Sequence, residues 1–183
     1  MTWDYVFRHV DDVVRDSPES LDDWYVYGVE WTLDHFCVVV MSITGKMVDL
    51  RRTTTSEWDV RRNMLLKLNC LWPSDSVWFA AYGIAGSTIE ALQSEGLPII
   101  SYSVTRLAKE RLIWGLASAI DQRRLTVLNS ITLRDQLLNY RVELLSSGLC
   151  RYYALPEIGG DCVISLALAW HGVNYSGTGI SFV

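Results

Sequence analysis

The acids are the first residues equipped for chemistry. Glu30 sits in the run YGVEWTLDHFCVVV, where a carboxylate inside an otherwise apolar strand must find a cation, a metal or a proton to offset its desolvation. The alternative is a strand that ends at Gly28 and leaves Glu30 in water. Asp34 follows four residues later, near a turn, where a solvated acid is the plainer reading. Asp161, in EIGGDCVISLALAW, opens an apolar helix just after a glycine pair, and a first-turn acid favoured by the helix dipole would also satisfy that pattern. With only three histidines (His9, His35, His171), a metal site must be built mainly from carboxylates, which suits a hard ion such as Mg2+ or Mn2+.

Other constellations are weaker. The four cysteines (Cys37, Cys70, Cys150, Cys162) form no CxxC pair, so neither a zinc ribbon nor a disulfide framework is indicated, and reduced, mostly buried thiols are expected. The glycines of AAYGIAGSTIEAL lie between a strand and a helix, yet neither GxxxxGK[ST] nor GxGxxG is present, so a tight turn accounts for them better than a nucleotide. Basic residues gather at Arg51-Arg52, Arg61-Arg62, Arg106 to Arg111 and Arg123-Arg124, beside element ends where phosphate contacts could form, although solvated surface is the plainer reading of any one pair.

The elements that must position these residues can be read from periodicity. Apolar residues from Trp3 to Val14 recur at helical spacing, which predicts a lead-in helix, and SPESLDD then breaks the pattern. Three short extended runs follow, from Trp24 to Gly28, FCVVVMSI and MVDLRRTT, with Gly45 at a reversal; they predict an antiparallel meander. Ser56 is placed to cap a helix carrying Met64, Leu65 and Leu68. VWFAAYG and LPIISYS alternate with helical segments at GSTIEALQSEG and residues 105–121, as parallel crossover units do. LTVLN, a helix near Thr132, two strand-like stretches and a helix from Asp161 to about Trp170 complete the chain. The sum is an α/β domain of ribonuclease H-like layout, a mixed sheet with helices on both faces.

Half of the 183 residues are apolar, enough to bury one core. We expect a single domain over 1–183, with a lead-in at 1–23, a core at 24–171 and a tail at 172–183. No apolar run reaches the roughly 18 residues a membrane span needs, and the acidic N-terminus lacks the pattern of a secretory signal. The net charge of −5 disfavours an indiscriminate nucleic-acid binder but leaves room for a local basic groove.

Three passages together resemble the nuclease domain of viral and phage terminase large subunits. YGVEWTLDHFCVVV is similar to the family's first strand, the stretch from GIAGSTIEAL to LTVL to its strand, helix, strand and lysine-bearing helix, and GGDCVISLALAW to the acidic motif opening its last helix. The resemblance runs from about Val6 to Trp170. It implies a metal-dependent endonuclease that cuts concatemeric double-stranded DNA during packaging. Two divalent ions, Mg2+ or Mn2+, would activate water and stabilise the leaving oxygen. Glu30 and Asp161 would be the ligands, Asp34 a helper, and Lys46, Arg51, Arg106 and Lys109 DNA contacts. The packaging ATPase, the portal or the small terminase subunit would be partners, inside the cytoplasm or nucleus of an infected cell. No Walker lysine motif precedes the nuclease-like region, so an isolated domain or separately encoded subunit is expected. Two departures matter: Ala80 stands where the family usually presents an acid, with Asp75 towards the other end of that strand, and Gly160 stands where many members carry a further aspartate. They motivate a second reading, a catalytically weakened domain that binds DNA or the packaging machinery. A third is a junction-resolvase-like nuclease.

Overall fold

A computed structural model describes residues 3–18, 22–81, 86–146 and 150–176. The chain opens with strand β1 (Trp3–Tyr5), a single helical turn α1 (Val10–Val13) and strand β2 (Val14–Arg15), so the lead-in helix predicted over residues 3 to 14 is reduced to one turn. β-Branched residues are poor helix formers, and long-range pairing captures both ends of the segment. Tyr5 lies opposite Arg141, and Val14 lies opposite Val127.

The central sheet holds β3 (Tyr25–Trp31), β4 (Phe36–Ser42), β5 (Met47–Thr53), β6 (Ser74–Ala81) and β7 (Ile99–Ser103) in the order β5-β4-β3-β6-β7. The first three pair antiparallel, and β6 and β7 continue from β3 in parallel. Gly45 makes the β4–β5 reversal at φ +84°, a left-handed conformation that favours glycine. Helix α2 (Trp58–Leu71) starts after Glu57, one residue later than a Ser56 cap would set it, with no side-chain cap. Helices α3 (Gly86–Ser94) and α4 (Arg106–Asp121) follow, α4 being capped by the Thr105 hydroxyl, which accepts from the Ala108 N–H. Strand β8 (Val127–Leu128) pairs with β2, and helix α5 (Ile131–Leu138) is capped by Ser130. Strands β9 (Tyr140–Leu144) and β10 (Cys150–Ala154) form a separate antiparallel sheet with β1. Helix α6 (Asp161–Ser176) is last.

Every residue of β3 and β4 is buried, because helices cover both faces. Leu65 and Leu68 of α2 and Leu92 of α3 pack on one face with Val29, Val38 and Phe79. On the other, α4, α5 and α6 pack on Val26, Cys37, Val39 and Ala80. Helix α6 lies across β3, β4 and β6 beneath α4 and α5, which explains why its sequence is apolar all round.

Arg61 of α2 is 1% exposed rather than part of a solvated basic pair. It donates from Nε to the Thr55 carbonyl at 2.6 Å, from its terminal nitrogens to the carbonyls of Thr32 and Leu33, and stacks 5.5 Å over Trp31. The β3–β4 turn is thereby tied to the approach to α2. A lysine has the charge but not the planar fork, so Arg61→Lys is expected to cost about 1.5 kcal/mol in urea unfolding, with the loss concentrated in a loosened turn.

Candidate active site

Strand register assembles the site. Glu30 lies opposite Cys37 on β4 and beside Ala80 on β6; Cys37 in turn faces Arg52 on β5, and Ala80 neighbours Tyr102 on β7. Directly paired residues share a sheet face. Arg52, Cys37, Glu30, Ala80 and Tyr102 therefore form one row across the sheet, under α4 and α6, near the carboxyl ends of the parallel strands. Ligands of open α/β sheets settle at such ends.

Helix α6 reaches this row because Gly28, two residues before Glu30, has no side chain. A Cβ there would lie 1.9 Å from the Ser165 carbonyl oxygen and 2.4 Å from the Ala169 nitrogen. The Ser165 hydroxyl also donates to the Cys37 carbonyl at 3.1 Å. One turn earlier in the helix stands Asp161, 2% exposed, with its carboxylate and the thiols of Cys37 and Cys162 within 4.8 Å of one another.

Both Asp161 oxygens already have donors. Arg52 Nε donates to Oδ2 at 2.5 Å and Gln136 Nε2 to Oδ1 at 2.7 Å, while Gln136 Oε1 accepts from the Cys162 N–H at 2.9 Å. The Asp161 contact holds the Arg52 guanidinium above its ordinary pKa. Neither partner was singled out from sequence: Arg52 is 109 residues from Asp161, and Gln136 is a fully buried amide with no local signature.

Glu30, 7% exposed, is inside rather than solvated, and its Oε2 lies 3.9 Å from His35 Nε2. Lys109 reaches the same region from α4, 5.9 Å from the Tyr140 ring centre; burial lowers its pKa and the Glu30 charge partly restores it. Burial, followed by the same Glu30 charge, pushes the Tyr140 hydroxyl above its ordinary range. The other candidates lie elsewhere. Asp34 is exposed on the β3–β4 turn and acts electrostatically on Arg61. Lys46 follows the far end of β4, five residues past Cys37 at Ser42, or roughly 16 Å along the strand. Arg51 lies opposite Val38, whose side chain belongs to the α2 face, and it pairs with Asp49 at 3.0 Å. Arg106 is exposed in the first turn of α4. Gly83 falls outside the described residues.

A hard divalent ion asks for about six oxygen ligands. Among the described residues the row supplies the Glu30 carboxylate, and helix α6 an Asp161 carboxylate already paired with Arg52. Ala80 contributes a buried methyl. Gly160 has no room for an acid either, since a Cβ there would meet Ala154 Cβ at 2.9 Å and the Tyr140 ring at 3.2 Å. These residues do not fit a two-ion carboxylate centre.

No family model matches the chain. The terminase large subunit of Thermus virus P23-45 is 31% identical over 132 residues, and that of Thermus phage G20c 30% over 132. The chain is thus similar to the terminase large subunits of Thermus phages. The chain spans about a quarter of the length of these relatives, 26% in each case, and covers 69% of itself in the match. The large terminase nuclease of phage G20c with bound magnesium superposes with a TM-score of 0.79 at 25% identity, covering 91% of this chain and 96% of that one. The HK97 large terminase shares the fold, with a TM-score of 0.72 at 11% identity over 93% of this chain and 44% of the other. The chain thus corresponds in extent to the terminase nuclease domain, and its fold is that domain's ribonuclease H-like one.

Proposed function

We propose that this terminase nuclease-type domain holds double-stranded DNA during viral packaging, as a single domain inside the infected cell, and does not cut it by a two-ion mechanism. One observation carries the reading: Asp161, the acid opening the last helix, has both oxygens engaged by Arg52 and Gln136. Ala80 and Gly160 remove two further negative charges that the resemblance would place there. Besides Glu30 and Asp161, basic side chains lie around the row. Arg52 is a third exposed, Arg151 acts on Lys109, whose pKa is lowered first by burial, and Arg111 acts on Tyr102, whose pKa burial raises. Cations facing a cleft whose two acids are buried attract phosphates without a bridging metal.

The endonuclease reading keeps one specific observation in its favour, the buried Glu30 carboxylate on the same sheet face as Asp161. One experiment separates the two. Supercoiled plasmid is incubated with the chain and Mn2+, and binding to a linear duplex and to a four-way junction is followed by gel shift over a range of salt. Retarded duplex, weaker binding in Lys109→Ala, and no nicking are expected. Nicking that disappears in Glu30→Gln would establish the nuclease instead, and selective retardation of branched DNA would point to a resolvase-like role.

A further inference from the structure

The donor set beside Glu30 is wrong for magnesium but right for a softer ion. Cys37 at the start of β4 and Cys162 in the first turn of α6 are both fully buried and bring two sulfurs beside the Asp161 carboxylate, the three ligand atoms lying within 4.8 Å of one another. We infer that Cys37, Asp161 and Cys162 form a binding site for a thiophilic divalent cation of the zinc class, in place of a hard-ion centre.

The geometry asks for little movement. Zinc binds sulfur at about 2.3 Å and carboxylate oxygen at about 2.0–2.2 Å, so neighbouring ligands of a tetrahedral ion sit roughly 3.3–3.8 Å apart. Each ligand atom must shift by about 1 Å or less. The ligands also stand on rigid supports: Cys37 is in a strand buried on both faces and bonded through its carbonyl to Ser165, and the Cys162 N–H is held by Gln136. Ion binding displaces one proton from each thiol. Two thiolates, one carboxylate, the Arg52 guanidinium and a dication then cancel in charge, which a buried centre requires. Arg52 and Gln136 remain as donors to Asp161, the outer partners that orient a ligating carboxylate. Arg52 is also the third-exposed member of the cluster, so its movement opens the route by which an ion enters. Thiolates favour zinc over magnesium because a soft donor gains little from a hard, strongly hydrated ion.

The site rests on the reading that Asp161 holds no pair of hard ions, and the two fail separately: nicking with Mn2+ would sink that reading, whereas a thiolate signal reports the softer ion alone. The test is titration of the reduced chain with Co2+, which reports thiolate ligands by near-ultraviolet charge-transfer absorption and four-coordination by strong visible bands. Saturation at one ion per chain is expected, with the signal bleached by equimolar Zn2+ and unaffected by a roughly hundredfold excess of Mg2+. The decisive variant leaves the core untouched: Cys70→Ser with Cys150→Ser removes the two thiols outside the site, one exposed and one half-buried. The full signal must survive in that double variant and vanish in Cys162→Ala. No thiolate signal in the parent chain, or loss of the signal in the double variant, would overturn the inference.

Discussion

Gly28→Ala is expected to abolish the native fold. The added methyl would stand 1.9 Å from the Ser165 oxygen and 2.4 Å from the Ala169 nitrogen, both backbone atoms of a helix that cannot turn aside as a side chain does. Overpacking against mobile side chains costs about 1–3 kcal/mol, and here the whole of α6 must lift from β3. We therefore expect a loss of at least about 4 kcal/mol, a large part of the 5–15 kcal/mol by which ordinary domains are stable. Lifting α6 would also break the Ser165–Cys37 bond and draw Asp161 away from the row containing Glu30. Circular dichroism and urea unfolding of the variant read the effect. A cooperative transition within about 1 kcal/mol of the parent would show that α6 does not lie against β3 as described.

Asp161→Ala is expected to destabilise the chain by about 3 kcal/mol. In a centre of clustered acids waiting for metal, removing one acid relieves repulsion and stabilises the empty protein. Here the carboxylate is the acceptor for Arg52 and for a fully buried Gln136 amide. Its removal strands both donors, and breaking a buried charged pair typically costs about 3–5 kcal/mol. The lower end applies because Arg52 is a third exposed and can recover some hydration. Urea unfolding at neutral pH is the measurement, and a more stable variant would refute the ion-pair description.

Much of the architecture was legible because local signals and global pairing agree. FCVVVMSI and MVDLRRTT around Gly45 can only run antiparallel, and Thr105 caps the helix its position suggests. The alternation after residue 74 yields parallel strands as expected. The N-terminal segment was misread since Val10 and Val13 have helical spacing, whereas the partners that recruit β1 and β2 are more than a hundred residues away. Strand period explains the site in the same terms. Glu30 and Asp161 share a face because Glu30 pairs with Cys37, and that register puts Arg52, not Arg51, beside the acids. A run of two arginines cannot reveal which one faces inward until the partner strand is aligned. Gln136 left no trace at all, being an amide on a short helix whose role exists only once α5 meets α6. Ala80 was visible from sequence, and its burial beside Glu30 gives its meaning: the neighbour of the one buried strand acid among the described residues is a methyl group.

The most direct measurement is a crystal of the chain soaked in Mn2+ and examined at a wavelength where manganese scatters anomalously. With too few oxygen ligands for a hard ion, since Ala80 and Gly160 supply no acid, the expected result is no manganese peak between Glu30 and Asp161 and an intact Arg52–Asp161 contact. Two manganese peaks about 4 Å apart, bridged by those carboxylates with Arg52 swung aside, would contradict it and restore the two-ion nuclease.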